Sequence, residues 1–228
     1  MIVTGGGRGI GAATARLAAA EGYRVCINYR KDKASAEKLA NELNNAIAVP
    51  GDVSSEADVV RLFETVDRAL GRVSVLVNNA GIVDLGMRVE KITAARLQRM
   101  FAINVMGSFL CAREAIKRMS TRHGGRGGAI VNVSSIAAKL GGAGEYVDYA
   151  ASKGAIDTFT VGLAKELGAD AIRGECLDPA PVPTRHEAPQ PAVADQDVRP
   201  AAEPGERGAG LTREAQDEEG LVRRADLG

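Results

Sequence analysis

The sequence is poor in the residues that build several common kinds of site. It has three cysteines, Cys26, Cys111 and Cys176, far apart and in no CxxC or histidine-paired spacing. That argues against a disulfide framework and against a zinc site. Its two histidines, His123 and His186, fall in Gly- and Pro-rich stretches and read as solvated rather than catalytic. Charge of one sign is lacking too: 29 Lys plus Arg stand against 29 Asp plus Glu. Nothing electrostatic therefore points to nucleic acid or to an anionic membrane. No apolar run approaches the ~20 residues that span a bilayer. The opening Met-Ile-Val-Thr-Gly leaves no room for a signal peptide, so a reducing, cytoplasmic location is expected. What is present is 228 residues, 45% of them hydrophobic, which suits one α/β domain of the larger kind with a real core.

Strand-like and helix-like segments alternate. Apolar runs sit at Ile2–Val3, Arg24–Tyr29, Ala46–Val49, Val73–Val77 and Ala129–Val133. Between them lie helical patterns near Gly9–Glu21, Ala34–Leu43, Glu56–Leu70, Ala94–Met119 and Tyr149–Leu167. Continuous apolar strands alternating with helices predict a doubly wound parallel sheet with helices on both faces, a Rossmann arrangement. Gly22 and Gly71 follow helices, where a left-handed residue ends a helix cheaply. Ser54 and Ser55 stand where a helix N-cap belongs.

Thr4-Gly5-Gly6-Gly7-Arg8-Gly9-Ile10-Gly11 follows the first strand and opens the first helix. Glycines there permit positive φ and a close approach of backbone to pyrophosphate. The helix N-terminus adds free N–H groups and a positive dipole end. A plain tight turn is the bland reading, and the strand–loop–helix context argues against it. Only Met1 to Val3 precede the loop, which makes a very short central strand: either the true start lies upstream or the first strand is clipped. An acid at the end of the second strand would favour NAD. Here that region reads Asn28-Tyr29-Arg30-Lys31, with no acid before Asp32. Arg8, Arg30 and Lys31 suit a 2′-phosphate, because guanidinium groups pair with phosphate in bidentate fashion. NADP(H) is expected ahead of NAD(H); a solvated basic loop is the alternative. Asp52 and Val53, after the third strand, are placed to meet the adenine.

With further motifs added, the chain resembles the short-chain dehydrogenase/reductase family, near its 3-oxoacyl-ACP reductase-like and glucose dehydrogenase-like members. Thr4 to Gly11 match Thr-Gly-x-x-x-Gly-Ile-Gly. Asn78-Asn79-Ala80-Gly81 match the signature after the fourth strand. Asn104, Ser135, Tyr149 and Lys153 fall in order where the family has its helix asparagine, its serine and its Tyr-x-x-x-Lys pair. Each motif alone is weak; the ordered set is specific. The resemblance implies cofactor contacts from Thr4, Gly5, Arg8, Gly9, Ile10, Gly11, Tyr29, Arg30, Asp52, Val53, Asn78, Ala80, Gly81, Tyr149 and Lys153. It extends them to Pro179, Val182 and Thr184.

The chemistry follows from residue type. Tyr149 and Lys153 are four apart and share a helix face. A free tyrosine titrates near ~10, and a nearby ammonium favours the phenolate. A tyrosine so placed exchanges a proton with a carbonyl or alcohol oxygen. Ser135, at the carboxyl end of the fifth strand, would hold that oxygen, with Ser134 as the alternative. By resemblance, Asn104 holds a water that links Lys153 to solvent, and the cofactor supplies the hydride. The plain readings are an exposed amphipathic pair for Tyr149 and Lys153, and a helix-interior asparagine for Asn104. The substrate class implied is a small carbonyl compound or secondary alcohol. The family's habit implies a homodimer; a tetramer is doubtful here.

The family pattern breaks near its sixth strand. Gly174 and Glu175 stand where Val and Asn are usual, putting a carboxylate where a buried strand is expected. Ala180 replaces a glycine. Seven of the eight prolines lie beyond Arg173, and no Phe, Tyr or Ile occurs from Gly174 onward. The reading is a dinucleotide-binding and catalytic domain over 1–184 and an atypical, disordered tail over 185–228, with no normal last strand. A shifted reading frame past codon 184 would produce such a tail. The alternative function is a non-catalytic nucleotide-binding protein or an inactive remnant of the enzyme.

Overall fold

The first strand, two residues long, lies in the middle of the sheet. In the computed structural model, which describes residues 1–179, β1 (Ile2–Val3) pairs on one side with β2 (Val25–Tyr29) and on the other with β4 (Val75–Asn78). Ile2 and Val3 are fully buried. Met1 extends the pairing, its carbonyl accepting from the Cys26 N–H at 2.9 Å. β3 (Ala46–Pro50), β5 (Gly128–Val133) and β6 (Ile172–Leu177) complete a parallel sheet in the order β3-β2-β1-β4-β5-β6. The expectations for Val182, Thr184, the 185–228 tail and a last strand lie outside the described residues.

Helices cover both faces. α1 (Gly9–Ala20) and α2 (Lys33–Glu42) pack through small residues, Ala12, Ala15, Ala18 and Ala36, against Val25 and Ile27. α3 (Glu56–Ala69), α5 (Gly107–Met119) and α7 (Val147–Leu167) bury Leu62, Phe63, Met119 and Leu163 against Ile2, Leu76 and Ile130. Each such large side chain is worth ~1.5–3 kcal/mol of burial. Polar groups in this core are paired. Asn78 Nδ2 donates to Asn132 Oδ1 at 2.9 Å, and Asn132 Nδ2 donates to Thr160 Oγ1 at 2.9 Å, tying β4, β5 and α7 together.

Two local features differ from the sequence expectation. The helix read over Ala94–Met119 is α4 (Ala94–Phe101) and α5, joined by a π-helical turn over Ala102–Met106. Such turns recur at functional sites because the extra residue re-aims the side chains around it. Here Gly107 resumes the helix hard against Val53, where an added Cβ would lie 2.7 Å from Val53 Cγ2. The second feature is β6. Its Glu175 is exposed and lies 3.2 Å from Arg173 Nε, so this carboxylate is not buried. Gly174 faces α7, where an added Cβ would come within 3.2 Å of the Ala164 backbone. The absence of a side chain lets the helix sit close to the strand. A short helix, α6 (Ala137–Leu140), adds to the expected set.

The strand order reverses between β1 and β4. Loops leaving their carboxyl ends diverge there and open a crevice. The glycine-rich loop and the 78–81 segment are its two lips.

Candidate active site

The glycine loop bends where the sequence permits it. Gly5 and Gly9 have φ of +59° and +54°, a region costly for residues with a side chain. Gly11 is needed for space instead: a Cβ there would lie 2.6 Å from Asn79 Nδ2 and 2.8 Å from Gly5 O. Beneath the loop Thr4 is buried. Its hydroxyl donates to Val77 O at 3.3 Å and accepts from the N–H groups of Asn79 and Ala80, both at 3.0 Å. Thr4 therefore locks the two lips together rather than facing the crevice. Asn79 Nδ2 reinforces the lock by donating to Thr4 O and Gly5 O. Asn28 holds the loop from β2, accepting from Gly5 N at 3.4 Å and donating to Gly51 O at 3.0 Å.

The crevice is a cleft of about 600 Å3. Gly5, Arg8, Gly9 and Ile10 form one end, and Tyr29, Arg30, Lys31, Asp52 and Val53 another. Ala80, Gly81 and Ile82 make the far wall. No side chain caps α1 and no acid lies in its first turn, so its leading N–H groups are open to an anion. A dinucleotide pyrophosphate fits this cradle. Asp32, the first acid after β2, also lines the cleft, but its carboxylate is engaged locally: it accepts from Ser35 N at 3.0 Å and caps α2. That backbone N–H holds the Asp32 carboxyl below its usual range. Arg30 Nε lies 2.7 Å from Asp52 Oδ2. Asp52 Oδ1 accepts from the Ser54 N–H and hydroxyl. The two residues expected at the adenine and the 2′-phosphate thus touch each other.

A second cavity of about 280 Å3 shares Ile10, Asn79, Gly81 and Ile82 with the cleft. Its own walls include Ser134, Ser135, Tyr149, Lys153 and Pro179. The structure therefore brings Ser135, Tyr149 and Lys153 together beside the dinucleotide-sized cleft. Lys153 is buried, and its Nζ donates to Val133 O at 2.7 Å. It lies 5.7 Å from the centre of the Tyr149 ring. Loss of water pushes the Lys153 ammonium down to about 8, against smaller upward contributions from Cys176 and Asp157. Ser134 is committed elsewhere, its hydroxyl donating to Lys153 O at 3.3 Å. Ser135 Oγ accepts from Ala137 N at 3.2 Å, which uses a lone pair and leaves its proton for a ligand.

Asn104 sits in the π-helical turn, buried, and brackets the cavity wall from behind. It accepts from Ile82 N at 2.8 Å and donates to Ile82 O at 2.9 Å and to Ser152 Oγ at 3.0 Å. A Cβ on Gly81 would lie 3.4 Å from Asn104 Oδ1 and 3.6 Å from Lys153 Nζ, so Gly81 occupies the gap between them. Asn78 is buried under the sheet end and bonds to Asn132 and Ser108. Its neighbour Asn79, singled out by no expectation, lines both cavities. In a strand, adjacent residues point to opposite sides, so the pair could have been split by register alone. Asn28 and Ile82 carry no signal in the sequence.

A family model for the short chain dehydrogenases matches residues 1–194. The oxidoreductase YgfF of Escherichia coli (strain K12) is 49% identical over 191 residues, covering 82% of this chain and 77% of that one. A short-chain type dehydrogenase/reductase of Picea abies is 37% identical over 194 residues, covering 80% and 70%. The versicolorin reductase stcU of Emericella nidulans is 36% identical over 187 residues, covering 80% and 69%. Among the described residues no helix is long and apolar enough to cross a membrane.

Proposed function

The chain belongs to the short-chain dehydrogenase family and is an oxidoreductase, and on that premise we propose that it transfers a hydride between NADP(H) and a small substrate, reducing a carbonyl compound or, in reverse, oxidising the secondary alcohol. The carrying observation is the buried Lys153 ammonium beside Tyr149, in a cavity that opens into the glycine-loop cleft. When bound, the nicotinamide supplies the hydride. The chain's residues do the rest. The glycine loop and the open N–H groups of α1 take the pyrophosphate. Arg8, Arg30 and Lys31 take the 2′-phosphate, with Asp52 and Val53 at the adenine. Ser135 donates a hydrogen bond to the substrate oxygen. Tyr149 gives that oxygen a proton as the carbonyl carbon is reduced. Lys153 stabilises the phenolate left behind and passes it a proton, with Asn104 on the route to solvent. In the oxidative direction each proton moves the other way.

Two results test this. Reductive kcat/KM should stay level at low pH and fall roughly tenfold per pH unit above about 8, as Lys153 loses the proton it must supply. A profile level from pH 7 to 10 would remove Lys153 from the proton path. NADPH should bind more tightly than NADH, and Arg30→Ala should weaken NADPH by ~10–100-fold while leaving NADH nearly unchanged. Fluorescence titration measures both, and a tenfold preference for NADH would contradict the assignment.

A site of self-association is also proposed from the surface. Leu97, Met106, Phe109 and Val161 are exposed on α4, the π-helical turn, α5 and α7. A homodimer through these helices would cover them. A cytoplasmic location is proposed with it.

A further inference from the structure

Between the cavity wall and the proton donor runs an ion pair that the proposed reaction does not use. Arg96, on α4, meets Asp148 in a fork: Nε donates to Asp148 Oδ2 at 2.7 Å and Nη2 donates to Oδ1 at 3.2 Å. The Asp148 side chain is 0% exposed and that of Arg96 10%. Asp148 lies in the first turn of α7, immediately before Tyr149. The third guanidinium nitrogen, Nη1, donates to Leu85 O at 2.8 Å. Leu85 belongs to the 82–88 segment, which continues the wall formed by Ile82 and Val83. Asp84 of the same segment lies 3.9 Å from Arg96 Nε and pairs with Arg99. Met87 N donates to Glu145 O, so the segment also meets the turn that leads into α7.

We propose that Arg96 is a positioning residue for the active site, clamping the 82–88 wall to the first turn of α7 so that Tyr149 and the surface opposite it keep a fixed spacing. The inference rests on Tyr149 being the proton donor. The wall is held by Asn104 on Ile82, Arg99 on Asp84, Arg96 on Leu85 and Glu145 on Met87, and of these Arg96 also grips Asp148 in the first turn of α7. The side chains of Val83 and Leu85 are exposed, so these polar contacts rather than packing fix the segment. A buried ion pair, moreover, is weak support for stability, since desolvation offsets most of the attraction. Its distinctive contribution is direction: a planar fork fixes angle as well as distance, which a lysine or an apolar pair would not. Proton transfer is sensitive to that, a displacement of ~1 Å costing ~100-fold in rate.

The test is hydrogen exchange read segment by segment on the full chain, alongside kinetics, for Arg96→Lys and Asp148→Asn. Arg96→Lys keeps the charge and so protects the fold. Both variants should exchange faster by ~10-fold or more at 83–88 and 145–150, with 4–11 and 128–133 unchanged. NADPH affinity should stay within about twofold, and kcat should fall ~10–100-fold with a smaller change in KM. In Arg96→Ala, added guanidinium should restore part of kcat and added ammonium should not. Exchange that rises equally everywhere, or a kcat left unchanged in Arg96→Lys, would overturn the proposal. Failure of the unaltered chain to reduce any carbonyl would instead overturn the functional reading, and the exchange pattern would still decide the clamp.

Discussion

Tyr149→Phe is expected to lower carbonyl reduction by ~10²–10⁴-fold, the range spanned by loss of a positioned proton donor. The ring stays, so its edge contact with Tyr146, centres 6.2 Å apart, and its place beside Lys153 stay too. Only the hydroxyl is removed. NADPH affinity should therefore change little, and the melting temperature should match that of the unaltered chain. The loss should fall on kcat, because the proton moves as the carbonyl is reduced. Steady-state kinetics with one carbonyl substrate, combined with NADPH titration, separates these quantities. Turnover within tenfold of the unaltered chain would show that another group supplies the proton.

Gly11→Ala is expected to weaken NADPH binding by ~100-fold, a cost in keeping with a shift of ~1 Å in a binding element, and to destabilise the fold by ~1–3 kcal/mol through overpacking. The cause is space rather than backbone conformation. The new Cβ would lie 2.6 Å from Asn79 Nδ2, 2.8 Å from Gly5 O and 2.9 Å from Gly6 Cα. Two of these are backbone atoms of the loop that would cradle the pyrophosphate. The third is the amide that donates to Thr4 O and Gly5 O. Relief in any direction moves the loop or releases Asn79 from it. NADPH titration with a thermal melt checks both effects. Unchanged affinity would place the pyrophosphate elsewhere.

The sheet was legible because a parallel sheet writes itself as apolar runs between helices, and even two-residue β1 could be located from Ile2 and Val3. The glycine loop, the 78–81 lip and the Tyr149–Lys153 pair were legible because each is local: its residues are neighbours in the chain or one helical turn apart. What stayed hidden depends on distance or on register. The break at Ala102–Met106 leaves the apolar pattern of α4 and α5 nearly continuous, so periodicity passes over it. Gly174 and Glu175 looked foreign to a buried strand, but burial depends on the neighbouring strand, and among the described residues β6 is an edge. Ser134 and Ser135 could be separated only by seeing the former turned to the Lys153 carbonyl. Arg96 and Asp148 are 52 residues apart, and nothing in either segment announces the other.

In the proposed reaction this chain transfers a hydride from NADPH to a carbonyl carbon while Tyr149 supplies the proton. The most direct measurement uses NADPH carrying deuterium at the transferable position, a panel of aliphatic and aromatic ketones and aldehydes, and mass spectrometry of the alcohols formed. The expected product is an alcohol with a single deuterium on the former carbonyl carbon, formed by the unaltered chain and nearly absent with Tyr149→Phe. Saturable NADPH binding with no deuterated alcohol from any member of the panel would contradict it.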